Sequence, residues 1–474
     1  MKKPRRRKGH IGIANLNIVW HIRTHPIRSL CFGGLGLVLF WLVLTKSLPY
    51  ALAPSAPDVA LALNSGNPAA LIAAAEKLHA RLLMATGALE QAGPRESSVS
   101  GGDTTDNHTK AKADRVGEQA GELELLRKEI RQLAIRTIAN DPLNAEAFRF
   151  LAETTDSPEG VRFLMQETLK RSRRNPIALL WLLNDRFYYK DFSAALDHAN
   201  MLMRTHPELS KYVLSYVALI AEAPEGSSLL VEELAKAPPW RGSFFRALPQ
   251  QVKQLDTPLK LMVALKEAGT PPANKELGPY LDFLISKNSV EAAYTAWLQF
   301  LPKGELDTLG LLTHPNFEQD PTGVAFDWQI ARGLNSVSEL VSLGSQDERA
   351  LHVSFGGGRV KFPEVSQIVI LPPGKYRLEG NLRGSIIAKR GLRWQFRCTN
   401  GSRILGETDM LLGQSRQWRA FTLEADVPQS EDCRGQTLRL FHDSRSASEE
   451  LISGEAWFAS LRLERIQEPA VVLQ

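Results

Sequence analysis

Val365–Gly384 read VSQIVILPPGKYRLEGNLRG. Val365, Gln367, Val369 and Leu371 alternate with their neighbours, Pro373-Gly374 turns the chain, and Tyr376, Leu378, Gly380 and Leu382 alternate again. Successive side chains of a strand point to opposite faces, so a period of two on both sides of a Pro-Gly turn predicts two strands, each with one buried face. The same period returns at Leu392, Trp394, Phe396 and Cys398, at Phe421, Leu423, Ala425 and Val427, at Leu438 and Leu440, and at Trp457, Ala459, Leu461 and Leu463. Short strands at this spacing over ~150 residues predict an antiparallel β-sandwich across 316–467.

Upstream the period is 3.6. Leu123, Leu126, Ile130, Leu133 and Thr137 share one helical face, as do Val161, Leu164, Met165, Thr168 and Leu169, and again Ala195, Ala199, Leu202 and Met203. An α-helical domain is therefore expected over 68–310. Its first helix lies near Pro68 to Gln91. After it, GPRESSVSGGDTTDNHTKAKADRVGEQAG lacks apolar periodicity and reads as a flexible insertion at about 92–121.

The net charge of +5 on 474 residues is unevenly placed. Lys2, Lys3, Arg5, Arg6, Arg7, Lys8, Arg23 and Arg28 crowd a basic tail, 1–28, that holds no acid. Taking these eight from the 57 bases leaves 49 against 52 acids. The body is mildly acidic, which argues against nucleic acid as a partner, since such binders need a basic face to neutralise phosphates.

Behind the tail, SLCFGGLGLVLFWLVLT (Ser29–Thr45) carries no charge, and a helix of that length spans most of a ~30 Å hydrocarbon core. Lys46 can snorkel, while Trp41 and Tyr50 suit an interface. A transmembrane helix over 29–48 and a Pro/Ala-rich stem over 49–67 follow. The basic tail places the N-terminus in the cytoplasm and the bulk of the chain beyond the membrane, in the periplasm if the membrane is a bacterial inner one. A cleaved signal peptide ending at Ala51-Leu52-Ala53 is the competing reading, with Pro54 awkward at such a cut. Either way the body is exported.

Two resemblances sharpen this outline. Asp141-Pro142 and Asn175-Pro176 lie 34 residues apart, and DFSAALDHANMLMRTHP (Asp191–Pro207) resembles the second half of a tetratricopeptide repeat, with Ala195 at the helix crossing and Pro207 closing the unit. Leu183 and Arg186 stand where the repeat has Gly and Tyr, and only a degenerate echo appears at Val290–Pro302. The resemblance implies a helical solenoid holding a protein partner; an irregular bundle that merely supports the next domain remains the alternative. In the second, NFEQDPTGVAFDWQI (Asn316–Ile330), VILPPGKYRLEGNLRG (Val369–Gly384), QWRAFTLEADVP (Gln417–Pro428) and GEAWFASLRLERI (Gly454–Ile466) resemble the framework of galactose-binding-like jelly rolls of the carbohydrate-binding-module type. That resemblance implies a fold, and with it a possible glycan ligand.

Of three cysteines, Cys31 lies in the apolar run, and Cys398 and Cys433 are a natural disulfide pair in an oxidising compartment, two separate buried thiols being the alternative. Sugar rings pack on indoles, which makes Trp328 and Trp418 the candidate carbohydrate-binding aromatics. Trp394 and Trp457 alternate in step with Leu and Phe and read as core. Arg383, Lys389, Arg390 and Arg393 flank strand ends, and Arg383 and Arg393 join the candidate list for an acidic glycan. No H-E-x-x-H, Gly-x-Ser-x-Gly or Walker signature is present, so no catalytic residue, metal or cofactor is assigned. The reading is a non-catalytic membrane-anchored envelope protein whose repeats bind a protein and whose jelly roll binds glycan or protein. Together the two resemblances imply an accessory to surface polysaccharide or exopolysaccharide assembly or export in a Gram-negative bacterium. A polysaccharide-active enzyme and a purely structural scaffold stay open beside it.

Overall fold

The computed structural model describes residues 26–91, 105–344, 348–401 and 403–466. It is helical up to Asp307 and an antiparallel β-sandwich from Ser336. Contacts divide the chain into two compact units, one ending at Asp185 and the other starting at Arg186. The basic tail lies outside the described residues up to position 25, and the start of the expected insertion does so from 92 to 104.

In the first unit a helix begins at Pro26 and continues through a π-helical turn, Val43–Ser47, to Leu52. Gly34–Leu52 has a mean hydropathy of 1.7 and is almost wholly exposed, so by length and composition it can cross a membrane. The π turn has a local cause. Pro49 has no N–H to offer the carbonyl four residues back, and the Asn64 side-chain amide donates to Thr45 O instead, at 3.0 Å.

The segment read as a stem, 49–67, carries short helices. Leu48–Leu52 and Pro57–Leu63 are helical, and Ala53, Ala60 and Ala70 bury one another. Alanine is the best helix former and proline is favoured at a helix's first position, so Pro/Ala composition signals helices here. The flexible insertion expected at about 92–121 is corrected over its described part, 105–121, because a helix runs unbroken from Thr105 to Asn140. Lys110, Ala111, Lys112 and Ala113, and further on Glu118, Gln119 and Ala120, favour helix without needing an apolar face.

Ile130 and Thr137 are buried, and Leu123, Leu126 and Leu133 pack beside Ala75, Phe150 and Ile72. Asn144 and Ser157 cap the next two helices by accepting from Ala147 N and Gly160 N. In the second unit Ala195, Ala199, Leu202 and Met203 are buried on the helix Phe192–Thr205.

The sandwich comprises β1 (Ser336–Ser342), β2 (Arg349–Phe355), β3 (Val365–Val369), β4 (Gly374–Ala388), β5 (Leu392–Cys398), β6 (Ile404–Glu407), β7 (Gly413–Val427), β8 (Gln436–His442) and β9 (Ile452–Arg465). One sheet has the order β1-β2-β9-β4-β7 and the other β3-β8-β5-β6. Their inner faces meet on the fully buried Trp394, whose ring stacks on Phe421 at 6.4 Å and meets Phe458 and Trp328 edge-on at 5.7 and 6.1 Å. Gln367, one of the alternating positions of β3, is also buried, and its amide exchanges hydrogen bonds with both the N–H and the C=O of Thr313. It fastens the segment that precedes β1.

Cys398 and Cys433 form the disulfide. It joins the end of β5 to the 3₁₀ turn Glu431–Cys433 before β8. Loop entropy over the 35-residue separation predicts a stabilisation of about 3–4 kcal/mol. The double variant Cys398→Ser/Cys433→Ser should therefore unfold at clearly lower temperature or denaturant concentration than the oxidised protein, and reduction of the wild type should reproduce the shift. Coincident unfolding curves for oxidised protein and variant would refute it.

Candidate functional site

The outer face of the five-stranded sheet is set by strand parity. Leu351, Val353, Leu382, Phe421, Ala456 and Phe458 point inward and are buried, which sends His352, Arg383 and Trp457 outward. Register then lines them up. Glu339 of β1 faces His352 of β2, His352 faces Trp457 of β9, and Trp457 faces Arg383 of β4. On β7 the ladder to β4 slips between Leu382 and Gly384, and the extra residues of this bulge carry Trp418 up beside Arg383.

The row is in close contact along its length. The His352 ring stacks on Trp457 with centroids 4.6 Å apart, and its two nitrogens lie 3.3 and 3.2 Å from the Glu339 and Glu455 carboxylates. The Arg383 guanidinium carbon sits 4.8 Å from the Trp418 ring centroid and 5.2 Å from that of Trp457. A cation over an indole face gains about 0.5–2 kcal/mol, more as water is excluded. Gly384 permits the tight crossing beside it: its φ is +140°, and a Cβ there would come within 2.3 Å of Glu455 O.

Trp418 is 37% exposed and forms one wall of an open groove of about 500 Å³. Asn381, Ser460, Asn316, Glu318 and Arg349 also line it. Arg349 is committed to Asp320 at 2.6 Å and to the Glu318 carbonyl. An indole wall beside an amide, a hydroxyl and carboxylates provides an apolar ring face flanked by donors and acceptors, which is what a hydroxylated ring compound requires.

Asn316 and Glu318 reach the groove because their segment is pinned underneath. His314 Nδ1 lies 3.4 Å from Asp327 Oδ1, the Trp328 indole N–H donates to His314 O at 3.0 Å, and Thr322 donates twice to Asp327 Oδ2 at 2.7 Å. The hydrogen bond to Asp327 raises the His314 pKa above the ordinary histidine value, against the opposing effect of burial. Burial alone would lift the Asp327 carboxyl, but hydrogen bonds from His314, Thr322 and Trp328 N–H outweigh it and hold the pKa below the usual carboxylate value.

Of the aromatic and basic residues singled out from the sequence, Arg383 and Trp418 come together. Trp328 does not join them: it is 1% exposed, in the core against Phe317 and Trp394, and offers no ring face to a ligand. Arg393 is spent on Asp443 and Glu407, each at 3.0 Å, on the other sheet. Arg390 pairs with Asp443 as well, and Lys389 is exposed. Trp394 is core as read, but Trp457 is not. Alternation traced back from Leu463 and Leu461 puts it inside, whereas β9 carries a bulge at Ser460, with φ +54°, that reverses the alternation so that Ala456 and Phe458 are buried instead. His352, Asn381 and Ser460 were not picked out at all. Among the described residues no cluster of His, Cys, Asp or Glu is arranged to hold a metal ion.

No family model matches the sequence, and neither does any curated protein. Among solved structures, a carbohydrate-binding module in complex with β-1,4-galactotriose is similar at 17% identity over 33% of this chain and 99% of its own, with a TM-score of 0.23. A family 11 carbohydrate-binding module of a cellulosomal cellulase from Clostridium thermocellum is 13% identical over 33% and 95%, with a TM-score of 0.21. A β-1,3-glucan-binding module from Bacillus halodurans is 12% identical over 27% and 88%, with a TM-score of 0.18.

The His314–Asp327 pair makes a pH-dependent contribution to stability. The raised histidine value favours the folded state below about pH 6.5 and loses that effect as pH rises through the folded-state value; the lowered aspartate value favours it above about pH 4 and loses that effect on acidification. His314→Gln should therefore destabilise most between about pH 4 and 6.5, with the gap in unfolding temperature narrowing above neutrality. A gap that stays constant from pH 5 to 9 would contradict this.

Proposed function

We propose that this chain is a membrane-held, non-catalytic glycan-binding protein. The observation that carries the reading is the exposed Trp418 ring at the wall of a groove with Asn381, Ser460 and two acidic side chains, on a sheet face whose neighbouring aromatics already stack with cations. A pyranose packs its C–H face on an indole while its hydroxyls exchange hydrogen bonds with amides and carboxylates. A sheet face is a rigid platform for such a site, since its side chains are held by paired strands.

The helical part serves a protein partner in this reading. Its support is the 34-residue spacing of Asp141-Pro142 and Asn175-Pro176, each followed by an asparagine-capped helix, with Asn144 and Asn175 accepting from Ala147 N and Ala178 N. The N-terminal helix is the anchor. Ala53, the last residue of the small-x-small pattern, is 1% exposed and packed with Ala60 and Ala70, which supports retention over cleavage. The basic tail supports a cytoplasmic N-terminus, and the disulfide supports an oxidising compartment for the body. An accessory role in polysaccharide assembly or export joins the anchor, the partner-binding helices and the glycan site in one task.

Full-length protein in nanodiscs, titrated with a panel of oligosaccharides by calorimetry, should bind at least one of them, and Trp418→Ala should weaken that binding at least tenfold, about 1.4 kcal/mol. Unchanged affinity in the variant, or no binding across the panel, would overturn the assignment. A phosphatase reporter fused after residue 470 should be active only when that end is outside the cytoplasm, and activity of a cytoplasm-dependent reporter at the same point would reverse the topology.

A further inference from the structure

Arg383 lies at the centre of the row with its charge uncommitted. Among the described residues it touches the faces of Trp418 and Trp457, and no carboxylate or carbonyl accepts a hydrogen bond from it. Its surroundings make that unusual. Arg377, on the same strand and the same face, pairs with Glu424 at 2.7 Å, Arg349 pairs with Asp320, and Arg393 has two carboxylates. The carboxylates nearest along the row, Glu339 and Glu455, are turned to the two nitrogens of His352. A guanidinium carries five N–H donors in a planar fork that matches a carboxylate, and two indoles fix this one while shielding part of it from water. Asn381, two residues along β4 on the same face and so roughly 7 Å away, lines the groove walled by Trp418.

On the reading of this groove as a glycan site, the geometry points to an acidic glycan, with the carboxylate of a uronic acid residue bound by Arg383 while its ring packs on Trp418. Glu318 and Glu348 line the groove and set the orientation. They accept from sugar hydroxyls and repel a carboxylate, so the acid group lies at the Arg383 end and the hydroxyls at theirs. Neutral sugars keep the stacking and the hydroxyl contacts but leave the guanidinium donors unpaired.

The test uses full-length protein in nanodiscs and three uronate oligomers (oligogalacturonate, oligoglucuronate and oligomannuronate), each beside its neutral counterpart of the same linkage and its methyl ester. At least one uronate should bind tenfold or more tightly than both its neutral counterpart and its ester, with affinity falling as salt rises. Arg383→Gln should bring the uronate down to the level of the neutral sugar, and Arg383→Lys should recover part of the preference. The ester comparison on wild-type protein stands even if Arg383→Gln fails to fold. Equal binding of acid, ester and neutral forms, or a preference that survives in a folded Arg383→Gln protein, would overturn the acidic specificity while leaving the glycan site in place. No binding by any member, neutral forms included, would remove the glycan site itself.

Discussion

Everything on the outer sheet face depends on how the two sheets close over Trp394. Its indole fills the space between them, flanked by Trp328, Phe421 and Phe458, and so fixes which residues of β4, β7 and β9 face inward. A strand slipped by one residue would send Arg383 and Trp457 into this core and Leu382 and Phe458 out of it, exchanging apolar burial for a buried charge. The energetic penalty for that exchange is many times the energy of any contact within the row. The row is thus held by core packing, and its own stacking only orients the tips of its side chains.

The helices next to the sandwich depend on a second closure. On the helix Val290–Leu298, Val290 fits against Gly435, where a Cβ would come within 2.6 Å of its Cγ1, and Glu291 meets Arg434 at 3.2 Å. Asn288 pairs with Asn400, and Tyr294 and Trp297 pack on Phe326 at 5.2 and 5.6 Å. Asn400, Arg434 and Gly435 all lie within two residues of Cys398 or Cys433. The disulfide therefore ties together the two loops that receive this helix.

The sandwich was legible from its period of two, and the buried helical faces from their period of 3.6, because burial imposes both patterns directly on the sequence. The disulfide was legible from compartment and number. The site was only partly so. Trp418 stood out because it follows a polar run, and Arg383 as one of several bases read as flanking strand ends, although it lies well inside β4. Trp457 was lost to the bulge at Ser460, since one extra residue inverts every inference drawn across it and nothing in GEAWFASLRLERI marks the insertion except a serine among apolar residues. Trp328 failed for a different reason: a domain's entry segment can be its plug, and the groups that make it so are remote, Trp394 packing on Trp328 and Gln367 pinning Thr313 across 54 residues. Long-range pairing of this kind leaves no local pattern to read.

Charge sets the last constraint. The body beyond Arg28 is net acidic, which at first sight disfavours a polyanionic ligand. At physiological ionic strength, however, exposed charges are screened over about 8 Å, so a small excess of acid spread over the whole surface contributes little at the groove. What the ligand meets is set by the groups within one such length. Glu339 and Glu455 are engaged with His352, Arg349 is engaged with Asp320, Glu318 and Glu348 line the groove itself, and Arg383 presents its charge between two low-dielectric ring faces. An interaction that is partly desolvated and fixed in direction outlasts salt better than a diffuse basic patch does. It also selects by shape as well as by sign, since the planar fork between the indoles fits a carboxylate lying in its own plane.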